Sequence, residues 1–171
     1  MNYNSDTLYK LMILYMLKSA AEPLTLLQIS TFFVEKEYTD FLKIQGHVKA
    51  LEDQNFLAVK ENHNKTLISI TEEGMESLQY FLGDISSEIK CDIQEYLKVN
   101  STELRREASI VSDYYKNQYG EYEAILWAKD RDTELCTIKM TVPSEKMAAA
   151  ICDNWQERNR EIYHFLTENL F

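Results

Sequence analysis

The sequence predicts an α+β fold. A helical N-terminal part runs into a β-hairpin, and a C-terminal three-stranded antiparallel meander is closed by a long helix. Three observations predict it. Apolar residues recur at three- and four-residue spacing over residues 8–15, 29–33 and 41–51, the mark of helices that bury one face. Two five-residue runs, 57–61 and 66–70, flank the turn-rich Asn62-His63-Asn64-Lys65. Beyond residue 120 the period changes to two over 122–128 and 136–142, and returns to helical spacing after Pro143. These patterns divide the chain into residues 1–82, a linking helix over 83–102, and a β-β-β-α part over 103–171.

Each element has local support. Ser5 can cap a helix that runs to about Lys18, with Leu8, Leu11, Met12, Leu14 and Tyr15 on its apolar face. Pro23 disfavours helix at Glu22. Thr25-x-x-Gln28 then fits a capping box, opening a second helix with Ile29, Phe32 and Phe33 inside and an end near Glu37. Thr39 or Asp40 caps a third helix, whose stripe is Phe41, Ile44, Val48 and Leu51 and whose stop is Asn55. Three helices and then a hairpin is the order of a winged helix-turn-helix.

Thr71 caps the next helix, with Met75, Leu78 and Leu82 on one face. Gly83-Asp84 breaks it, and Ile85, Ile89, Ile93 and Tyr96 continue at helical spacing. Residues 104–117 read as the first strand of the meander, 117–120 and 130–132 as its turns. Ser144 caps the final helix, whose stripe of Met147, Ile151, Trp155, Ile162 and Leu166 lies across one face of the sheet.

Composition limits what such a chain can do. Its 171 residues are 45% hydrophobic with only 4 Gly and 2 Pro, which suits a packed core and argues against disorder. The net charge of −10 is uneven. Residues 1–70 hold 7 Lys against 8 acids, and residues 71–171 hold 11 basic against 20 acidic side chains. A nucleic-acid surface is therefore tolerable only in the first part. Cys91, Cys136 and Cys152 have no metal-type spacing and suit a reduced, cytoplasmic chain. The apolar run 11–17 has no basic segment before it as a signal peptide would, and no run reaches the ~18 apolar residues of a membrane span.

No catalytic constellation is present: no phosphate-binding glycine loop, no HExxH, no GxSxG. The expectation is a protein that is not an enzyme and carries no cofactor or metal. The candidate sites lie elsewhere. The outer face of the third helix presents Lys43, Gln45, Gly46, His47 and Lys49 and no carboxylate before Glu52. With Thr39 at the helix start and His63 and Lys65 at the hairpin tip, this face could lie on double-stranded DNA, lysines on phosphates and polar side chains on base edges. Trp127 and Trp155 either pack the core or line an effector pocket between sheet and helix. The aromatic, acidic patch at Asp113, Tyr114 and Tyr115 is a weaker candidate for a partner protein.

Two family resemblances bear on this. The segment SITEEGMESL, residues 69–78, resembles the strand-to-helix junction of the multiple-antibiotic-resistance and phenolic-acid-decarboxylase types of bacterial winged-helix regulator, over about residues 5–82. The stretches FVEKEYTDFLKIQGHVKALEDQNFL, SITEEGMESLQYF, DYYKNQYGEYEAILWAKD and VPSEKMAAAICDNWQERNREIY are similar to an uncharacterised bacterial family, domain of unknown function 4364, over nearly the whole chain. The resemblance implies a winged-helix regulator and brings no binding residues with it. Gly46 stands where a longer side chain is expected, and a mid-helix glycine costs about 1 kcal/mol relative to alanine. The functional expectation is a DNA-binding transcriptional regulator acting as a homodimer, with a small-molecule effector as a further candidate partner. The competing expectation is a winged-helix module that binds protein and not DNA.

Overall fold

The computed structural model describes residues 5–131 and 133–171, and the chain falls into two compact units. One holds residues up to Lys60 together with Thr66–Arg105. The other holds Glu61–Lys65 and Arg106–Phe171. The described elements are mixed α and β, with two antiparallel three-stranded sheets and a long C-terminal helix.

The first unit is built around α1 (Ser5–Ser19). All seven residues from Leu11 to Leu17 are buried, so this helix has no solvent face along that run. A helix that is apolar on every side belongs inside a core. Four elements pack on it: α3 (Phe41–Asp53), β3 (Thr66–Ile70), α4 (Glu72–Phe81) and α5 (Ser87–Val99). The helix is already formed at Ser5, and the residues before it lie outside those described.

A two-residue strand, β1 (Leu24–Thr25), precedes α2 (Leu26–Glu35) and pairs antiparallel with β3. With β2 (Leu57–Glu61) the sheet order is β1-β3-β2. The sequence does not announce β1, because Thr25 serves at once as strand residue and helix cap. The capping box is present: Gln28 N–H donates to Thr25 Oγ1 at 3.2 Å, and Thr25 N–H to Gln28 Oε1 at 2.8 Å. Ile29, Phe32 and Phe33 are buried as their spacing requires.

α2 and α3 each end on a left-handed residue that is not glycine. Glu37 has φ 57° and Asn55 φ 60°. In each case two backbone N–H groups fold back on the last turn. Glu37 donates to the carbonyl of Val34 and Tyr38 to that of Phe33; Asn55 donates to Glu52 and Phe56 to Leu51. This is the Schellman arrangement, which satisfies carbonyls that a helix end would otherwise leave open. It also brings the Tyr38 ring against Phe33, with centroids 6.3 Å apart. Asp40, not Thr39, caps α3, accepting from Lys43 N–H at 2.9 Å. Ile44, Val48 and Leu51 are buried, but Phe41 is 40% exposed, because it occupies the first position of the helix, ahead of the contact with α1.

Thr71 caps α4 as its position implies, accepting from Gly74 N–H. The same hydroxyl donates to the Asn55 carbonyl, at 2.7 Å, and Thr71 N–H donates to the Phe56 carbonyl. The start of α4 is therefore laid directly on the end of α3. Met75 is 40% exposed while Leu78 is buried. A 3₁₀ turn at Leu82–Asp84 marks the Gly83-Asp84 break. α5, expected as a linking helix, contributes buried Ile93 and Leu97 to the first unit's core.

The first expected strand begins six residues later than the sequence reading placed it. Ser101–Ser109 is a helix, α6, and β4 starts at Ile110 and runs to Lys116. Leu104 and Ala108 are four apart, a helical spacing, and the alternation read there was imperfect. β4 pairs with β5 (Tyr122–Asp130), and β5 with β6 (Thr133–Val142), both antiparallel. Gly120 takes φ 82° in the first turn, where the Asn117 side chain accepts from the N–H groups of Tyr119 and Glu121. Arg131 has φ 56° in the second; its expected companion, Asp132, lies outside the described residues.

α7 (Glu145–Leu170), capped by Ser144, lies on one sheet face. Its buried residues are Ala148, Cys152 and Trp155, packed with Ala124, Leu126 and Ala128 of β5. The register at its start is thus one residue later than Met147 and Ile151. Met147 is 48% exposed. Small residues at 124, 128 and 148 let helix and sheet approach closely, and Trp155 fills the remaining space. Burial pushes the Cys152 thiol up to about 11, so it stays protonated and inert at neutral pH.

The contact of α4 with the end of α3 predicts a specific vulnerability. A Cβ on Gly74 would sit 2.2 Å from the Phe56 carbonyl oxygen and 2.9 Å from Ile70 Cγ1. Since the first obstacle is backbone, Gly74→Ala should destabilise the protein by roughly 1–3 kcal/mol, the usual range for overpacking. Urea unfolding followed by circular dichroism measures it, and a midpoint equal to the parent's would show that α4 can slide away from Phe56.

Candidate functional site

The α3 face carries fewer of the expected groups than the sequence suggested. Lys43, Gln45, Gly46 and Lys49 are exposed. Lys43 makes no ion pair with the described residues, whereas Lys49 bridges Glu52 at 3.0 Å and Asp53 at 3.3 Å. Those two carboxylates lie one turn further along the same helix and partly neutralise it. A Cβ built on Gly46 meets nothing within 4 Å, so the fold itself does not require glycine there.

His47 is not on the outer face. Its side chain is only 13% exposed and turns toward α1, with the ring centroid 5.9 Å from that of Tyr9 and Nε2 3.6 Å from an Asp6 carboxylate oxygen. Burial holds its pKa below the ordinary imidazole value, against the opposing pull of Asp6. Thr39 is half-buried, and its Oγ1 is enclosed without a hydrogen-bond partner. Neither residue presents the side chain that a groove contact needs. Spacing missed this because His47 is one position from Val48, at the flank of the buried stripe.

The turn between α2 and α3 is held from several sides. Tyr9 Oη donates to the Tyr38 carbonyl at 2.7 Å. Asp92, on α5, accepts from Lys36 Nζ at 2.9 Å and from Tyr38 Oη at 3.2 Å. The Lys36 ammonium and the Tyr38 hydroxyl hold the Asp92 carboxyl below its usual range. These partners were not legible in the sequence, since Asp92 lies more than 50 residues from the turn it serves.

The hairpin tip is engaged within the second unit. Asn62 and Lys65 close the turn by mutual backbone hydrogen bonds. Lys65 Nζ donates to the carbonyls of Glu107 and Ile110, both at 2.7 Å, and pairs with the Glu107 carboxylate at 3.1 Å. An ammonium has three protons, and these contacts use them. Its side chain is only 10% exposed. His63 Nε2 lies 3.2 Å from Asp153, and its ring packs on Tyr114 with centroids 4.8 Å apart. Asn64 donates to the same Asp153 carboxylate and accepts from Ser112 Oγ. Lys65 is not placed to meet a phosphate, while His63 is exposed but engaged at Nε2 and through its ring.

Trp127 and Trp155 do not line a common pocket. Trp155, on the sheet-facing side of α7, is 1% exposed, and its Nε1–H donates to the Trp127 carbonyl at 3.2 Å. Trp127 alternates with the buried positions of β5 and so points to the opposite face, with Lys129 Nζ 5.8 Å from its ring centroid. Around Trp155 the space between sheet and helix is filled. Two open cavities lie instead beside the C-terminal half of α7, at Arg106, Asn159 and Arg160.

Taken together, these elements define a two-unit α+β protein with one partly cationic helix face and a separate cavity region. The chain belongs to the family described as domain of unknown function DUF4364, whose model matches residues 9–170. No curated protein and no solved structure matches it. No helix among the described residues is long and apolar enough to cross a membrane.

The placement of His47 gives a pH prediction. Its folded pKa is depressed, so below the ordinary imidazole pKa the unfolded chain takes up the proton more readily than the folded one. Stability should be full above about pH 6.5 and fall as the pH drops below it. Melting temperatures at about pH 7.5 and 5.5, for the parent and for His47→Asn, check it. The parent should lose more on acidification than the variant, and equal losses would show that His47 is solvated.

Proposed function

We propose that the protein is a DNA-binding transcriptional regulator of winged helix-turn-helix type, acting as a homodimer. The single observation that carries this reading is the exposed face of α3. Lys43, Gln45, Gly46 and Lys49 lie on it with no carboxylate among them, in a chain of net charge −10. The order α1-β1-α2-α3-β2-β3 with the sheet order β1-β3-β2 supports it, since a recognition helix followed by a hairpin is how that class presents side chains to a major groove. The fixed turn at Tyr38 supports it too, because a reading helix must be held in one orientation relative to the helix before it.

In this reading Lys43 and Lys49 contact phosphates and Gln45 reaches base edges. Gly46 allows the helix backbone to come close to the duplex. Lys65 takes no part, since its ammonium is already held by Glu107 and Ile110. Two lysines per subunit in a dimer make about four phosphate contacts, so the log–log dependence of affinity on salt should have a slope of roughly −3.6.

The test is fluorescence anisotropy on fragments selected from genomic DNA, between about 50 and 200 mM salt. Lys43→Ala with Lys49→Ala should flatten the slope toward zero, and Lys65→Ala should leave it unchanged. An unaltered slope in the double variant removes α3 from the interface. Gly46→Ala is a second discriminator. It should stabilise the fold by up to about 1 kcal/mol and weaken DNA binding. Stabilisation with no loss of affinity would mean that nothing approaches α3 there.

A protein-binding module is the second reading. It is favoured by the neutralisation of Lys49 and by exposed apolar side chains on the same two helices: Leu27 at 68%, Val34 at 50% and Leu42 at 75%. Failure to select any DNA fragment would make it the better one.

A further inference from the structure

We propose that the second unit binds a small amphipathic organic acid, a carboxylate on an apolar body, in a cleft beside α7 with Arg160 as the anchor. Two cavities adjoin there. One, of roughly 280 Å³, is polar; the other, of roughly 200 Å³, is largely apolar. Both are lined by Arg106, Ile110, Asn159 and Arg160, so they adjoin across these four side chains. Together they reach the lower end of the size range of small-ligand sites.

The polar end carries Lys65, Arg106 and Arg160 against Glu107 and Glu157. That is an excess of cations, in a unit holding 9 basic and 13 acidic side chains. Lys65 is a wall and not a free donor, since Glu107 and two carbonyls hold it. Glu107 also lies 3.9 Å from Arg106. Arg160 is exposed and stands where the polar and apolar ends meet. Its planar guanidinium offers paired N–H groups that match a carboxylate or sulfonate. Glu107 and Glu157 limit the charge such a site accepts, which favours a monoanion over a phosphate ester.

The apolar end gives the rest of the ligand its place. Ile110, Ala128, Leu135 and Tyr163 line it, with half of the Leu135 surface open to solvent. An apolar body seated there covers surface that the chain leaves exposed. This site stands independently of the DNA reading, because every residue that builds it belongs to the second unit.

The probe is 1-anilinonaphthalene-8-sulfonate, an anion on an aromatic body, titrated into the full-length chain by fluorescence. Saturable binding at one site per chain is expected, displaced by octanoate and not by sodium sulfate. Arg160→Ala should weaken it about tenfold, as loss of a charged hydrogen bond does. Leu135→Glu should weaken it at least as much by placing a carboxylate at the apolar end. Both side chains are exposed, and circular dichroism checks that the variants fold. Met140→Glu, also exposed and on the same strand but outside the cleft, should bind as the parent does. Three results would each overturn the proposal: no binding, undiminished binding in both cleft variants, or equal weakening by Met140→Glu.

Discussion

The burial of α1 on every side is the constraint on which the first unit depends. Seven consecutive side chains, from Leu11 to Leu17, are taken out of water, and no single partner can cover a full cylinder. α3, α4, α5 and β3 each cover a part of it. This accounts for the first unit's extension to Arg105: without α5, an apolar stretch of α1 would be left open. It also accounts for the position of His47, which lies at the edge of the α1–α3 contact and is drawn into it.

The turn between α2 and α3 depends on a different kind of interaction. Its left-handed residue, Glu37, like Asn55 at the end of α3, is held by backbone hydrogen bonds where glycine would be easier. For a glutamate that conformation is uncommon, and the surroundings fix it. Tyr38 is bound through its carbonyl by Tyr9 and through its hydroxyl by Asp92, so the bend is tied to α1 and α5 together. The orientation of α3 is therefore a property of the first unit's whole core and not of the turn sequence alone.

Much of the fold was legible because local chemistry dictated it. The capping box at Thr25 and Gln28, the caps at Thr71 and Ser144, the stop at Asn55 and the turn at Gly120 are short-range rules, and each is present as expected. The misreadings have a common cause. Helical spacing gives the direction of a stripe but not its edges, so it puts Phe41, Met75 and Met147 inside and His47 outside. The second half of α6 looks like strand in the sequence because one helical turn and a short alternation are alike over six residues. Of the candidate site, the exposure of Lys43, Gln45, Gly46 and Lys49 follows from the stripe. The fate of Lys65 and His63 does not. Their partners, Glu107 and Asp153, lie 42 and 90 residues away, and no local pattern encodes such pairings.

The pentapeptide Glu61–Lys65 makes the second unit discontinuous in sequence. A chain cut after residue 102 would give a C-terminal fragment lacking the ammonium that ties the Glu107 and Ile110 carbonyls, and the side chains that satisfy Asp153 and Ser112. The units are thus not separable by a single cut in the sequence, and dissection at the apparent boundary removes part of one with the other. During synthesis the hairpin tip emerges long before α7, so its last partner, Asp153, does not exist until that helix is made. The C-terminal unit thus closes onto a piece of chain made well before the rest of it.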